Sequence, residues 1–526
     1  MSSSSTPALG QDRQPWPKGY ATREAQKSAL YRLLLDNLET FLAHHEQRFQ
    51  PEYGYLRPEV QSTLEEMIAC GDIWFGLARV RCQDCGDDMF IPLSCRRRGC
   101  CASCAAKRQL IFTERVLEEV LPDVPCRQWT FSLPRALRVF FRYDGALSKE
   151  LSQIVVREIT RYIRAVTGHP DLEPGFVVVD QTFGTLPDSY HPHEHICATD
   201  GGFTPEGVFV PLPRVRKKDV AAICEVLRYW VLKWLVRREK ISENFASCMV
   251  GWENSGFSLD ASRRIRQDRR DRLEVLLNYM ARHPFNPKGI HYNAERGTVR
   301  YQAPRVHGTR KTDTIEVDAV DFIAMLAQHI PHRRRHQFRF YGAANPKVRK
   351  RLDLCGLPVT TEMPEVTAAR GRKSWARLIW KLYGVDPLIC NKCNGTREIL
   401  AVIFDRESIN RVLVHLGQPT ELPAHKPARG PPPPSPVKEG ARIRPSPAAK
   451  EDDSQLFIDP NNSEWDCIDE PFETDDEAAA DARHDIARTA PADEQKTPNS
   501  LLDVMERWSG ILCRADELSE EKEATN

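Results

Sequence analysis

Three groups of residues in this 526-residue chain have the types and spacing to do chemistry. The first is Cys82-x2-Cys85-x15-Cys101-x2-Cys104. Each CxxC pair can present two thiolates to one tetrahedral centre, and the spacing is that of a zinc-ribbon-like site. Cys95 and Cys100 are surplus, and either could replace one of the four. Arg96, Arg97, Arg98, Lys107 and Arg108 lie beside these cysteines in SCRRRGCCASCAAKR. A structural Zn²⁺ that also presents cations to nucleic-acid phosphates is one reading. A module serving only folding or protein contacts is the other.

The second group is His193-Glu194-His195 in HPHEHICATDGGF, a segment that reads as a strand. Residues two apart on a strand share a face, roughly 6.5–7 Å apart, so two imidazoles can converge on one metal. His191 shares that face but lies about 13 Å away by strand spacing, which suits a substrate or supporting contact better. If FVVVDQTFG (176–184) pairs with 191–199 about a loop near residue 187, Gln181 falls opposite His193. Two histidines and an oxygen suit Mg²⁺ or Mn²⁺ acting as a Lewis acid on a phosphate. Alone, HxH is also compatible with buried or surface histidines that bind nothing.

The third group is Tyr279, in the helical stretch LEVLLNYMARHPF. A tyrosine phenolate can attack a phosphodiester and hold it covalently. Alone, a tyrosine in a leucine-rich helix is more often a core or interface residue.

Basic runs surround these groups. RRIRQDRRDR (263–272) precedes the Tyr279 helix, and HRRRHQFRFY (332–341) interleaves cations with Phe338, Phe340 and Tyr341. Arginine for phosphates and aromatics for bases is a common way to hold a single strand, which makes Arg263, Arg264, Arg333 and Arg334 expected backbone contacts. A solvated charged face is the plainer alternative. Cys390-x2-Cys393 is a lone pair that Cys355 or a histidine could complete as a second zinc site; a degenerate remnant is the other reading. No phosphate-binding glycine loop is present, so a nucleotide cofactor is not expected.

The elements needed to position these residues are legible in outline. Hydrophobic residues make up 41% of the chain and charged residues 28%, and no apolar run approaches the roughly 18 residues of a membrane helix. Residues 451–526 carry 23 acidic and 6 basic residues, whereas 1–450 carry 68 basic against 50 acidic. A basic body with an acidic tail implies a polyanionic partner for the body, with the tail as a solvating extension or a competitor. Seven of the sixteen cysteines fall between Cys70 and Cys104, and the N-terminus lacks a secretory apolar region. Both point to metal binding in a reducing cytoplasm.

Helices are expected over 23–50, 57–70, 110–120, 148–167, 217–240, 268–282, 319–329, 373–385 and 406–417. Strands are expected at 128–134, 176–184 and 191–203, in TVRYQAP, in DTIEVDAV and in REILAVIF. Strands interleaved with helices of unequal length favour an α+β fold over a doubly wound parallel sheet. The division expected is a disordered segment 1–22, helices over 23–70, a zinc-binding module at 71–112, a catalytic domain at 113–350 and a helical CxxC region at 351–417. A proline-rich linker and acidic disordered tail fill 418–526, where LLDVMERWSGIL (501–512) could form an amphipathic helix.

Taken in order, CxxC…SCRRRGCCASCAAKR, VPCRQWTFSLP, VVVDQTFG…HPHEHICATDGGF and LLNYMARHPF resemble the HUH rolling-circle transposases that carry an N-terminal zinc-binding domain. Within that family the likeness is to the single-tyrosine, common-region-type branch. VRYQAP, HRRRHQFRFYG and WARLIWKLYGVDPLICNKCNG extend it, so that it covers roughly 30–415. The resemblance implies an HUH-type central antiparallel sheet flanked by helices. It implies a cytoplasmic, nucleoid-associated enzyme that nicks and rejoins single-stranded DNA through a 5′-phosphotyrosine, mobilising an insertion sequence. His193 and His195 would be the metal-binding pair and Tyr279 the nucleophile. Oligomerisation stays open.

Two departures stand out. The middle residue of HUH is normally hydrophobic, and here it is Glu194, on the strand face away from the histidines. Either that face is open, or Glu194 pairs with an arginine, or the chain is a catalytically inactive zinc-containing DNA-binding protein descended from such a transposase. Some relatives also use two tyrosines four apart, and position 275 is Val. Tyr190, Tyr292 and Tyr301 are the outside alternatives.

Overall fold

The computed structural model describes residues 27–354, apart from 185, 187, 189, 253, 254, 304–313 and 334, together with 388–421 and 426–430. The segments expected at 1–22, 373–385 and 501–512, most of 418–526, Cys355 and Arg334 lie outside the described residues.

The fold is α+β and its sheets are antiparallel. The central sheet runs Phe338–Gly342, Gly175–Gln181, His193–Thr199, Cys126–Ser132, Ser258–Asp260, and the short strand Arg264–Ile265 also pairs with Cys126–Ser132. Every residue of Gly175–Gln181, His193–Thr199 and Cys126–Ser132 is buried. Helices cover both faces, and the polar residues buried in CRQWTFS and HEHICAT, among them Arg127, Gln128, His193, Glu194 and His195, must find partners inside the protein.

On one face, Trp129, Phe131, Phe176, Val178 and Ile196 pack against the helices Ala146–Thr167 and Lys217–Arg237. On the other, Val177, Val179 and Cys197 meet Phe112 and Val116, together with Leu273, Leu276, Leu277 and Met280 of the helix Arg270–Met280. Alternation puts Gln181, His193 and His195 on this second face and Asp180 and Glu194 on the first.

A second core joins distant parts of the chain. Leu33, Leu34, Leu38 and Phe41 of the helix Ala29–His44, with Leu64 of Pro58–Ile68, pack against Val299, Tyr301 and the helix Ala319–Gln328. Each such buried leucine or phenylalanine contributes about 1.5–3 kcal/mol. Cys70, Cys100, Cys101 and Cys104 sit in the same core. A separate ribbon is formed by Leu77–Cys82 between Asp88–Pro92 and the late strand Arg397–Ile403. The basic run at 332–341 contains an unexpected strand, Phe338–Gly342, at the sheet edge.

Candidate active site and cysteine clusters

The ladder between the two middle strands sets the site. Gln181 pairs with His193 and Val179 with His195, as the hairpin argument expects. From the other side Ser132 pairs with His193 and Thr130 with His195. The two imidazole Nε2 atoms face each other at 3.1 Å.

His193 Nδ1 donates to the carbonyl of His191 at 2.9 Å, which leaves the Nε2 lone pair available. His195 Nδ1 lies 3.2 Å from Thr130 Oγ1 and 3.1 Å from the Gln128 amide. The Gln128 amide nitrogen is a donor toward Nδ1, whereas Thr130 Oγ1 can accept from it; in the tautomer with the proton on Nδ1 facing Thr130, His195 also presents Nε2 as a lone pair. Burial holds His193 down at about 4 and His195 well below the usual imidazole range, with Arg282 adding to both shifts. Burial likewise holds His191 at about 3. Both facing rings are therefore neutral at pH 7, and with the protons on the two Nδ1 atoms the opposed Nε2 lone pairs suit a cation between them.

Gln181 completes the donor set. Its Nε2 donates to the carbonyls of Tyr279 at 3.1 Å and Met280 at 2.9 Å. Its Oε1 is buried with no hydrogen-bond partner. Two neutral imidazoles and an orphaned amide oxygen fit a hard divalent cation, and two donors on adjacent octahedral vertices lie about 3 Å apart. All three donors are uncharged, so an anionic phosphate is the natural further ligand.

Tyr279 stands in the last turn of its helix, which ends just before Pro284. Its ring centroid is 5.1 Å from that of His195, with the planes at 78°. The Arg282 guanidinium lies 4.5 Å from the Tyr279 ring centre and 5.1 Å from that of Phe183. Tyr190, Tyr292 and Tyr301 are engaged elsewhere: Tyr190 donates to the Phe141 carbonyl, Tyr292 donates to Asp36, and the Tyr301 hydroxyl accepts from the Asn286 amide.

A cleft of ≈ 990 Å³ opens beside this site. Gln181 and Met280 line it, with Arg96, Arg98, Lys107, Arg108, Arg115 and Arg282 around it. Arg108 lies 5.3 Å from the Phe338 ring centre and Arg115 5.8 Å from that of Phe340. Phe112 and Phe338 stack at 4.0 Å.

The expected DNA contacts fare unequally. Arg96 is exposed at the cleft. Arg97 pairs with Glu66, and Arg98 donates to the carbonyls of Arg335 and His332, where burial lowers it to about 10. Arg263 donates to Gln128 Oε1 at 3.3 Å, beneath His195, and Arg264 to Asp200 at 2.6 Å. Both guanidiniums thus have partners within the protein, and Arg264 lies in the short strand paired with Cys126–Ser132. Arg333 is exposed. Arg115, Arg282, Phe112 and Phe183 were not singled out from sequence. Arg282 follows Tyr279 by three residues, about one helical turn, which is the signal it offered.

Glu194 is neither open nor in the way. It is buried on the far face, where Ser152 Oγ donates to its Oε1 at 2.5 Å. Asp180, opposite it in register, is held by Arg339 at 2.6 and 2.8 Å and by Arg335 at 3.0 Å. Arg339 also donates to Ser152 at 3.0 Å. Burial, then the neighbouring Asp180 charge, raise Glu194 to about 8.

The cysteines require a correction. Cys82, Cys85, Cys101 and Cys104 do not form one centre. Cys70, Cys95, Cys101 and Cys104 gather in one set and Cys82, Cys85, Cys390 and Cys393 in another, each with its sulfurs within 4.8 Å. In the first set the closest sulfurs lie 3.5–3.7 Å apart. Four thiolates on a tetrahedral Zn²⁺ with bonds of about 2.3 Å would be about 3.8 Å apart, so the residues present fit zinc. Cys100 is outside both sets, with its thiol against Met67.

Comparison with known proteins agrees with this arrangement. A family model described as "Putative transposase" matches residues 175–351, which include Gln181, the histidine pair and Tyr279. A "Transposase zinc-binding domain" model matches 41–133, which includes the whole first cysteine set. The transposase for insertion sequence element IS801 of Pseudomonas savastanoi pv. phaseolicola is 23% identical over 377 residues, covering 67% of this chain and 86% of that protein. "Putative transposase y4qJ" of Sinorhizobium fredii is 25% identical over 358 residues, covering 62% and 84%. No solved structure matches. The protein is a DNA-processing enzyme of the transposase class. It belongs to the IS91-type transposases with an N-terminal zinc-binding domain. No described helix is long and apolar enough to cross a membrane.

Proposed function

We propose that this transposase nicks and rejoins single-stranded DNA through a covalent bond to Tyr279, mobilising its insertion sequence by a rolling-circle-like route. The observation that carries this reading is the Tyr279 ring standing 5.1 Å from His195, whose Nε2 faces that of His193 at 3.1 Å. His193, His195 and Gln181 would hold Mg²⁺ or Mn²⁺, which supplies Lewis-acid stabilisation of charge on the scissile phosphate.

The chain's own residues account for the rest. Tyr279 Oη attacks phosphorus, forming a phosphotyrosine ester to the 5′ side. The bond from phosphorus to the 3′ oxygen breaks, and that oxygen leaves as a 3′-OH after taking up a proton. The phenolic proton passes to solvent. Rejoining is the reverse attack by a 3′-OH, which regenerates Tyr279, so no nucleotide is consumed. Arg282 places a cation beside the ring where negative charge gathers. The arginine–aromatic pairs of the cleft suit a single strand, with cations for phosphates and rings for bases.

Glu194, the residue that favours an inactive DNA-binding descendant, faces away from the imidazoles into a hydrogen-bonded pocket, which speaks for the active reading. The test is a cleavage assay on labelled single strands tiled across the DNA flanking the reading frame, with Mg²⁺ or Mn²⁺. A denaturant-resistant adduct, absent with Tyr279→Phe and with EDTA, is expected. Intact DNA binding with no adduct on any strand would return the inactive reading.

A further inference from the structure

Cys390 and Cys393 lie beyond both regions matched by the transposase families, yet their thiols meet those of Cys82 and Cys85. We infer that these four cysteines form a second zinc site, a clasp that fastens residues 388–416 to the N-terminal ribbon and so fixes one wall of the basic cleft. The metal assignment stands apart from the strand-transfer reading; only its consequence for DNA rests on it.

Two matched turns build the site. In Cys82-Gln-Asp-Cys85-Gly86 the Gly86 amide donates to the Cys82 carbonyl at 3.1 Å, with Gly86 at φ +72°. In Cys390-Asn-Lys-Cys393-Asn394 the Asn394 amide donates to the Cys390 carbonyl at 2.9 Å, with Asn394 at φ +59°. Glycine and asparagine are the residues that enter this left-handed region most readily. The Lys392 amide also donates to Cys390 Sγ at 3.4 Å, a bond that stabilises a thiolate. The two turns face each other across the ladder that pairs Cys82 with Arg397.

Sulfur separations across the turns are 3.5 Å for Cys82–Cys393 and 3.6 Å for Cys85–Cys390. These are close to the edge of a tetrahedral ZnS₄ centre and far from the roughly 2.05 Å of a disulfide. Asp87 braces the pair, accepting from Lys392 at 2.6 Å and Arg397 at 2.8 Å.

Apolar packing is a weak substitute for a metal here. Among the described residues, the buried apolar cluster joining this late segment to the ribbon consists of Ile73, Leu77, Ile409 and Leu413. Four side chains are a small core for holding a strand and a helix in place, the usual situation in which a metal supplies the stability. The fastened strand matters because Ile399 and Phe404 line the cleft that Gln181 and Arg282 also line.

The experiment uses the full-length chain. Elemental analysis should find two zinc ions per chain, falling to one in the Cys390→Ser/Cys393→Ser double variant. Hydrogen exchange in peptides spanning 397–413 should speed by at least tenfold in that variant. Peptides from the helix Ala29–His44 should stay protected, which shows that the rest is folded. Because Cys85 and Cys393 are exposed and the first set is mostly buried, a chelating dye should draw one zinc well before the other. One zinc per chain in the unaltered protein, or two in the double variant, would overturn the inference. Tyr279→Phe should keep both zincs, so a failed cleavage assay and a failed clasp are separate results. Single-strand affinity should drop several-fold in the double variant; unchanged affinity would remove the link to the cleft.

Discussion

Thr113 Oγ1 donates a 2.9 Å hydrogen bond to Asn278 Oδ1, and four residues earlier in the same helix Gln109 donates to the Asn278 carbonyl at 2.9 Å. The helix that makes both bonds, Ala102–Arg115, starts at Cys101 and carries Cys104 in its first turn. Asn278 precedes Tyr279. A single helix therefore links the first cysteine set to the residue that precedes Tyr279. Thr113→Val should leave Asn278 Oδ1 without this donor at a cost of about 1 kcal/mol, or roughly fivefold faster amide exchange in the Tyr279 helix. Cys104→Ser, which removes the cysteine from the first turn of that helix, should have the same sign and a larger size. Exchange measured over 270–280 checks both.

The donor set at the histidine pair makes a second expectation. His193, His195 and Gln181 are all neutral, so the cation should bind weakly alone and more tightly once a phosphate joins. Mn²⁺ binding, followed by electron paramagnetic resonance, should strengthen when a single-stranded oligonucleotide is added. Gln181→Glu should tighten Mn²⁺ binding without DNA by on the order of tenfold, because a carboxylate replaces a neutral oxygen. The same variant should lose most of the enhancement by DNA, since the added charge repels the phosphate.

For the cleft, the measurable signature is salt. Arg108 and Arg115 stand over Phe338 and Phe340, with no acidic partner at Arg108 among the described residues and an exposed one, Glu119, at Arg115. Each should neutralise a phosphate of a bound strand. Arg108→Ala should flatten the plot of log affinity against log salt by about 0.7, the counterion released per phosphate on single strands. Arg264→Ala should leave the slope unchanged, because that guanidinium is spent on buried Asp200. Fluorescence anisotropy at four salt concentrations distinguishes the two.

Much of this site is legible in sequence, and the exceptions have physical causes. The pairing of Gln181 with His193 follows from hairpin symmetry, and the shared face of His193 and His195 from the two-residue period. The approach of Tyr279 is not, since it depends on how a helix packs on a sheet; only family resemblance indicated it. Spacing misassigned the cysteines because it joined the nearest pairs. The residues after each pair carried the better signal: Gly86 and Asn394 mark turns of one kind, whereas Cys101 and Cys104 open a helix. Arg264 reads as a DNA contact because its strand, Arg264–Ile265, is too short to show periodicity. In FRFYG the alternation was there, with Phe338 and Phe340 to one face and Arg339 to the other.

Glu194 gives the pH dependence. Its carboxyl is raised in the folded protein from about 4.5 to about 8, by burial and by Asp180 across the ladder. The folded state thus binds this proton more tightly than the unfolded chain does. The stabilisation is complete below the unfolded value near 4.5, declines as the pH rises through the window between the two values, and is gone above about 8. At pH 7 the group is mostly the neutral acid, with Oε1 hydrogen-bonded to Ser152 and Oε2 buried without a partner. Glu194→Gln keeps that shape and cannot ionise. Its melting temperature relative to the unaltered protein should therefore be lowest near pH 5 and rise steadily toward pH 8, where the parent must bury a charge beside Asp180. Glu194→Leu, which restores the family's apolar type, removes the hydrogen bond between Ser152 Oγ and the carboxyl and leaves that hydroxyl only the Ser148 carbonyl as acceptor, so it should gain less at pH 8 than Glu194→Gln. Because the side chain points away from the imidazoles, both variants should keep the Tyr279 adduct at pH 7. An adduct lost in Glu194→Gln with its melting temperature unchanged would mean that the carboxyl acts on the histidines through the strand, contrary to this account.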